Sequence, residues 1–240
     1  MVVARVRDVA RRLLHGAGLD VVRYDERHSA DLRRRRILQD RHIDVVVDVG
    51  ANDGPYAIAL RRAGFAGRIV SFEPGSSAFA RLAERAAADE NWDVYRLAIG
   101  SGRGSATLNV TGNSSSSSLL ALRQLHVGAE PASSVVATED VDVAALDELA
   151  IVRDGERALL KLDVQGYELE ALWGADTMLG SVQAVEAELS LVALYDGAPL
   201  LPELVSHLLD RGFRLHGLEP VFCDPRDGAV LQMDGMFVRG

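Results

Sequence analysis

The sequence predicts an α/β protein built on a doubly wound, mostly parallel sheet that closes in an antiparallel hairpin. Three observations carry this expectation. First, residues 43–49 (IDVVVDV) and 158–164 (ALLKLDV) are nearly continuous apolar runs. A parallel strand covered by helices on both faces has no polar side to alternate with, so such runs read as central strands. Second, strand-like and helix-like segments alternate along the chain from residue 43 onward. Third, residues 213–218 and 230–238 read as strands, with the turn pairs Asp224-Pro225 and Asp227-Gly228 between them.

The elements follow in order. Val2, Val6, Val9 and Leu13 recur at helical spacing and Gly16 stops the pattern, so the chain opens with an amphipathic helix. Arg33 to Arg36 read as a solvated helix face. After the 43–49 strand come GANDG and a helix over 56–63. A strand over 68–72 ends in Glu73-Pro74, and an alanine-rich helix covers 76–88. A third strand is expected over 94–99 and a further one over 107–110. The serine tract 113–118 reads as loop, and 135–143 alternates weakly before a short helix. Beyond the 158–164 strand, Gly166 marks a turn, a helix spans 167–173, a strand 182–189, and a helix 201–210 stops at Gly212. Nothing marks a second core, so the division is a helical extension, 1–42, followed by one domain, 43–240.

The totals narrow the function. The chain has 240 residues, 48% of them hydrophobic and 25% charged, enough to bury a core without disulfides. Its one cysteine, Cys223, excludes an internal disulfide and a multi-cysteine zinc site. No apolar stretch approaches the roughly 20 residues of a membrane span, and arginines interrupt the opening segment, so a cytoplasmic enzyme is expected. The net charge of −9 argues against nucleic acid as main partner. Charge is uneven, since residues 1–42 hold 11 arginines against 6 acids. Arg5, Arg11 and Arg12 on the first helix would suit weak contact with an anionic membrane surface. Of the 26 basic side chains only Lys161 is a lysine.

Four constellations carry chemistry. Asp48-Val-Gly50-Ala-Asn52-Asp53-Gly54 follows a buried strand, and glycines at such a turn let backbone approach a ligand. The spacing is G-x-x-x-G, and Asp53 at the helix start would repel a pyrophosphate. Glu73 ends the second strand, where a carboxylate accepts both ribose hydroxyls; the alternative is a surface acid. Lys161 and Asp163 point the same way from one strand, and Asp163 reaches the carboxyl end, where open α/β sheets bind ligands. Buried there, the pair is functional or structural, since unpaired charge in an apolar strand is costly. Glu186 and Glu188 share a face of the next strand, one to pair with Lys161 and the other to face an acceptor. His126 is a second candidate base, although a lone histidine more often packs.

The stretches VVVDVGANDGPYAIALRRAGFAGRIVSFEP, GNSSSSSLL, LLKLDVQGYELEALWGA and LEPVFCDPRDGAVLQMDGMFVR resemble, in order, the signatures of the FkbM family of S-adenosylmethionine-dependent O-methyltransferases. The resemblance covers roughly 43–239. It implies the seven-stranded, Rossmann-like class I methyltransferase fold and S-adenosyl-L-methionine as cofactor. Asp48, Gly50, Asn52 and Gly54 would surround the methionine part of that cofactor, Glu73 its ribose, and Ala98 and Ile99 its adenine. Asp163 would lie near the reacting methyl and the acceptor, and we expect it to be the base or its orienting partner, with Lys161 tuning its charge and His126 the second candidate. Ser116, Ser117 and Glu188 would contact the acceptor. Gln165 departs from the family pattern, which has Glu in KxDxEGxE. With that neutral residue no metal is expected, although Asp163, Glu186 and Glu188 could supply oxygens. Family members methylate hydroxyls of sugars and polyketides, so the expected acceptor is a sugar hydroxyl on a glycolipid or natural product, the alternative a macrolide hydroxyl. A nicotinamide-dependent oxidoreductase and a non-catalytic cofactor-binding protein are the rivals from other classes. The oligomeric state stays open.

Overall fold

The computed structural model describes residues 14–16, 18–19 and 24–240. The chain divides into two compact units, Met1–Arg36 and Ile37–Gly240. The expected helix over residues 2–13, with its arginines, lies outside the described residues. In the first unit Asp25 accepts a hydrogen bond from Arg27 N–H and pairs with His28, and Asp31 pairs with Arg34. The Arg33 to Arg36 run lies in the helix Ala30–Asp40.

The second unit carries a seven-stranded sheet in the order β3-β2-β1-β7-β8-β10-β9. Its strands are β1 (Val45–Val49), β2 (Arg68–Phe72), β3 (Trp92–Tyr95), β7 (Ala158–Leu162), β8 (Val182–Ser190), β9 (Phe213–Cys223) and β10 (Val230–Arg239). β1, β2, β3, β7 and β8 run parallel; β10 is antiparallel to both β8 and β9. The doubly wound sheet with an antiparallel C-terminal hairpin is therefore as the sequence predicts.

Alternation along the central strands divides the core. Val45, Val47, Val49, Leu160 and Leu162 pack with Leu172, Leu204 and Leu208 from the helices Glu168–Trp173 and Leu201–Asp210. Val46, Ile69 and Leu159 pack on the opposite side with Ala57, Leu60, Leu82 and Ala86 from the helices Pro55–Arg62 and Ser76–Ala86. Both faces of β1 and β7 are covered, which is why their sequences are almost wholly apolar.

One expected element is corrected. The single third strand over 94–99 is two strands in two sheets. β3 stays in the main sheet, while β4 (Ala98–Ile99) leaves it for a three-stranded sheet with β5 (Gly104–Thr111) and β6 (Val135–Ala144), in the order β4-β6-β5. Arg96 and Leu97 separate the two strands, and neither is paired in a sheet. Between β5 and β6 the chain also forms a short helix, Gln124–Ala129, which the sequence does not announce.

Candidate active site

A polar row crosses the apolar sheet at one register. Asp48 on β1 stands between Ser71 on β2 and Lys161 on β7, and Lys161 stands beside Glu186 on β8. All four are buried. Ser71 Oγ donates to Asp48 Oδ2 at 3.2 Å and receives the Trp92 indole N–H at 2.9 Å. Lys161 Nζ lies 3.3 Å from Asp48 Oδ1 and 3.4 Å from Asp163 Oδ2, and donates to the Gly50 carbonyl at 3.1 Å. Burial disfavours the ammonium, but Asp163 and Asp48 outweigh that and push it up, so it stays charged. Glu186 accepts the Tyr56 hydroxyl at 2.7 Å. The expected pairing of a β8 acid with Lys161 is thus replaced by two carboxylates from β1 and the end of β7.

Past the end of β1 the backbone turns through left-handed conformations at Gly50 (φ 77°), Asn52 (φ 49°) and Gly54 (φ 90°). The glycines also have a packing reason. A Cβ on Gly50 would sit 1.9 Å from the Asp163 carbonyl oxygen, and one on Gly54 would strike Trp92 and Leu82. The turn is packed against the tip of β7. Glu73, after β2, faces the turn: Asn52 N–H donates to its Oε2 at 2.9 Å and Gly75 N–H to its Oε1 at 2.8 Å. Burial raises its carboxyl to about 7 in spite of those two donors. Asp53 is opposed by Arg85 at 3.0 Å and Arg81 at 3.8 Å. Its charge therefore weighs less against phosphate than its place in the sequence suggests. Ala98 and Ile99 are buried in β4, and Asp48 is wholly buried behind the turn.

The tip of β7 forms the second half. Asp163 is the open member of the group: its side chain is 41% exposed, against 10% for Lys161 and 0% for Asp48. Gln165, itself left-handed at φ 55°, donates Nε2 to Asp163 Oδ1 at 2.7 Å and to Glu188 Oε2 at 3.0 Å. Gln232 on β10 donates to the same Glu188 oxygen at 2.6 Å. Glu168 Oε1 accepts from the Val164 and Gly166 N–H groups, shaping the turn; burial raises its carboxyl to about 7. Glu188 is pushed well up, first by burial and then by Asp163, Glu168 and Asp234.

The serine tract closes over both halves. Ser114 Oγ donates to Asn52 Oδ1 at 3.3 Å, and Ser118 Oγ to the Gln165 carbonyl at 2.7 Å. Ser116 is buried, its Oγ accepting from Asn113 Nδ2, and Ser117 Oγ accepts from Thr111 N–H. His126 is 3% exposed, edge-on to Tyr195 with ring centroids 5.1 Å apart, and its Nδ1 has no hydrogen-bond partner. Burial lowers its basicity. It reaches the polar group only through Tyr195. Sequence reasoning missed Tyr195, Gln232 and the structural use of Glu168. Tyr195 follows the end of β8 with no motif around it, and Gln232 approaches Glu188 only because β10 pairs antiparallel with β8. Among the described residues no group of three His, Cys, Asp or Glu side chains is placed to hold a metal ion.

Among solved structures the chain is similar to an rRNA methylase from Streptococcus thermophilus, at 15% identity over 91% of this chain and 99% of that one, TM-score 0.48. It is also similar to an S-adenosylmethionine dependent methyltransferase from Mesorhizobium loti, at 12% identity over 89% and 99% of the two chains, TM-score 0.47. No curated protein matches. The family model of the methyltransferase FkbM domain matches residues 48–215, from Asp48 before the turn to Leu215 on β9. That is well over half of the sequence, and the chain belongs to the FkbM methyltransferase family.

Proposed function

We propose that this methyltransferase uses S-adenosyl-L-methionine to methylate a hydroxyl of a sugar, on a glycolipid or a glycosylated natural product. The observation that carries the reading is Asp163: a carboxylate at the carboxyl end of a central strand, open to solvent, steadied by Lys161 and Gln165. Family membership selects methyl transfer over a nicotinamide-dependent oxidation.

The chain's residues fit the cofactor. Glu73, with each oxygen fixed by one backbone N–H, keeps lone pairs for ribose hydroxyls. Asp48, wholly buried and paired with Lys161 at 3.3 Å, backs the Gly50–Gly54 turn along which the amino-acid tail would lie. Ala98 and Ile99 supply apolar surface for the base. S-adenosylmethionine, when bound, supplies a methyl group already activated on a positive sulfur.

The remaining task for the protein is alignment and proton removal. An acceptor oxygen held in line gains most of what positioning gives. Asp163 takes the hydroxyl proton as the new bond forms, a contribution of roughly 10²–10⁴-fold for a placed general base. Lys161 keeps that carboxylate beside the cofactor turn, because it holds Asp48, Asp163 and the Gly50 carbonyl together. Glu188, Ser116 and Ser117 belong to the acceptor side, and His126 is held in reserve behind Tyr195.

The test is incubation with methyl-labelled cofactor and a panel of glycosides, glycolipids, macrolides and a short RNA, followed by mass spectrometry. The expected product carries the label on a glycoside oxygen. Asp163→Asn is expected to lose at least about 100-fold in turnover while binding S-adenosylhomocysteine as before. Label on RNA alone, or full turnover by Asp163→Asn, overturns the reading.

A further inference from the structure

We infer that Gln165 is a positioning residue for methyl transfer, and that Tyr195 fixes the direction of its amide. The inference rests on Asp163 as the base. The Gln165 side chain is 8% exposed and its amide is fully engaged. Its Nε2 donates to Asp163 Oδ1 at 2.7 Å and to Glu188 Oε2 at 3.0 Å; its Oε1 receives the Tyr195 hydroxyl at 2.6 Å. The main chain is tied as well, since the Gln165 carbonyl accepts from Ser118 Oγ at 2.7 Å.

Each partner dictates the amide's orientation. The Asp163 carboxylate accepts and cannot donate, so the NH₂ must face it, and Glu188 Oε2 takes the second N–H. Tyr195 is fully buried and has one proton. Ser116 O lies 3.1 Å away and Gln165 Oε1 nearer, so that proton holds the amide oxygen on its side. Burial pushes the phenol up, which keeps the proton in place. Two facing acids are thereby bridged by one neutral donor pair, while Lys161 meets the other oxygen of Asp163 at 3.4 Å.

An acid at this position would remove the bridge. Asp163, residue 165 and Glu188 would then present three acceptors to one another and no donor. Lys161 would still face Asp163 and Gln232 would still donate to Glu188, but a donor between residue 165 and Asp163 would return only with a proton, toward lower pH. Loss of the Tyr195 hydroxyl is a milder change: the amide keeps its donors but loses the contact that orients them.

The experiment compares wild type, Gln165→Glu, Tyr195→Phe and Asp163→Asn. Three readouts are taken: turnover against pH on the glycoside the panel yields, S-adenosylhomocysteine affinity, and carboxyl ¹³C titration of Glu188. Gln165→Glu is expected to lose at least about tenfold in kcat near pH 8. It should recover part of that toward pH 6, with cofactor affinity within about twofold of wild type. Its Glu188 resonance should titrate at higher pH than in wild type, because a donor has become a like charge. Tyr195→Phe is expected to lower kcat about threefold or more at unchanged cofactor affinity, and it tests the amide should Gln165→Glu fail to fold. A wild-type pH profile and an unmoved Glu188 in Gln165→Glu, with Asp163→Asn inactive, overturns the role of Gln165 and leaves Asp163 as base. Full turnover by Asp163→Asn overturns the base itself, and the two failures are told apart by that variant.

Discussion

Glu73 shows how much a single side chain can be made to depend on pH. Its carboxyl is raised to about 7 by burial, while two backbone donors keep it pointed at the β1 turn. Ribose hydroxyls donate, so the ionised form is the better acceptor. S-adenosylhomocysteine affinity is therefore expected to rise between about pH 6 and pH 8, as Glu73 loses its proton. Glu73→Gln should bind about tenfold more weakly at pH 8 and show a flatter dependence, both measurable by calorimetry. The position of Glu73 was legible in the sequence, because the end of the second strand of a doubly wound sheet is fixed by register with the first. Tyr195 was not legible: its role depends on meeting Gln165, thirty residues away, which no local pattern encodes.

At the scale of elements, the β1 turn and the β7 tip act as one joint. The Asp163 N–H donates to the Val49 carbonyl at 3.1 Å, and the Asp163 carbonyl occupies the space a Gly50 side chain would need. Gly50→Ala is expected to cost at least about 2 kcal/mol, from the left-handed backbone alone, and to abolish cofactor binding. Gly102→Ala, where a Cβ meets nothing within 4 Å, should be close to neutral in the same denaturant titration. The sequence marked both joint strands through their apolar runs. It merged β3 with β4 because a change of sheet leaves no trace in a run of strand-forming residues; only the ladder to β6, more than forty residues on, separates them.

Across the whole molecule, the site has a stability consequence. Glu73 and Glu168 are each raised to about 7 by burial, and Glu188 well above the usual carboxylate range. Between about pH 4.5 and 7 the folded chain binds more protons at these groups than the unfolded chain does. Their contribution to stability is thus largest on the acid side and falls as pH rises through that window. The cofactor-free protein is expected to melt lower at pH 8 than at pH 5.5. Glu168→Gln keeps an acceptor for the Val164 and Gly166 N–H groups and should remove part of the difference, up to about 2 kcal/mol. The lone lysine gives a different kind of leverage. Every other basic side chain is an arginine, so an acylating reagent such as acetic anhydride has a single side-chain amine to find. That amine is buried and clamped by two acids where the halves of the site meet. The rate at which one acetyl mass appears on Lys161 would time the opening of this joint, with no label to engineer and no second lysine to confuse it.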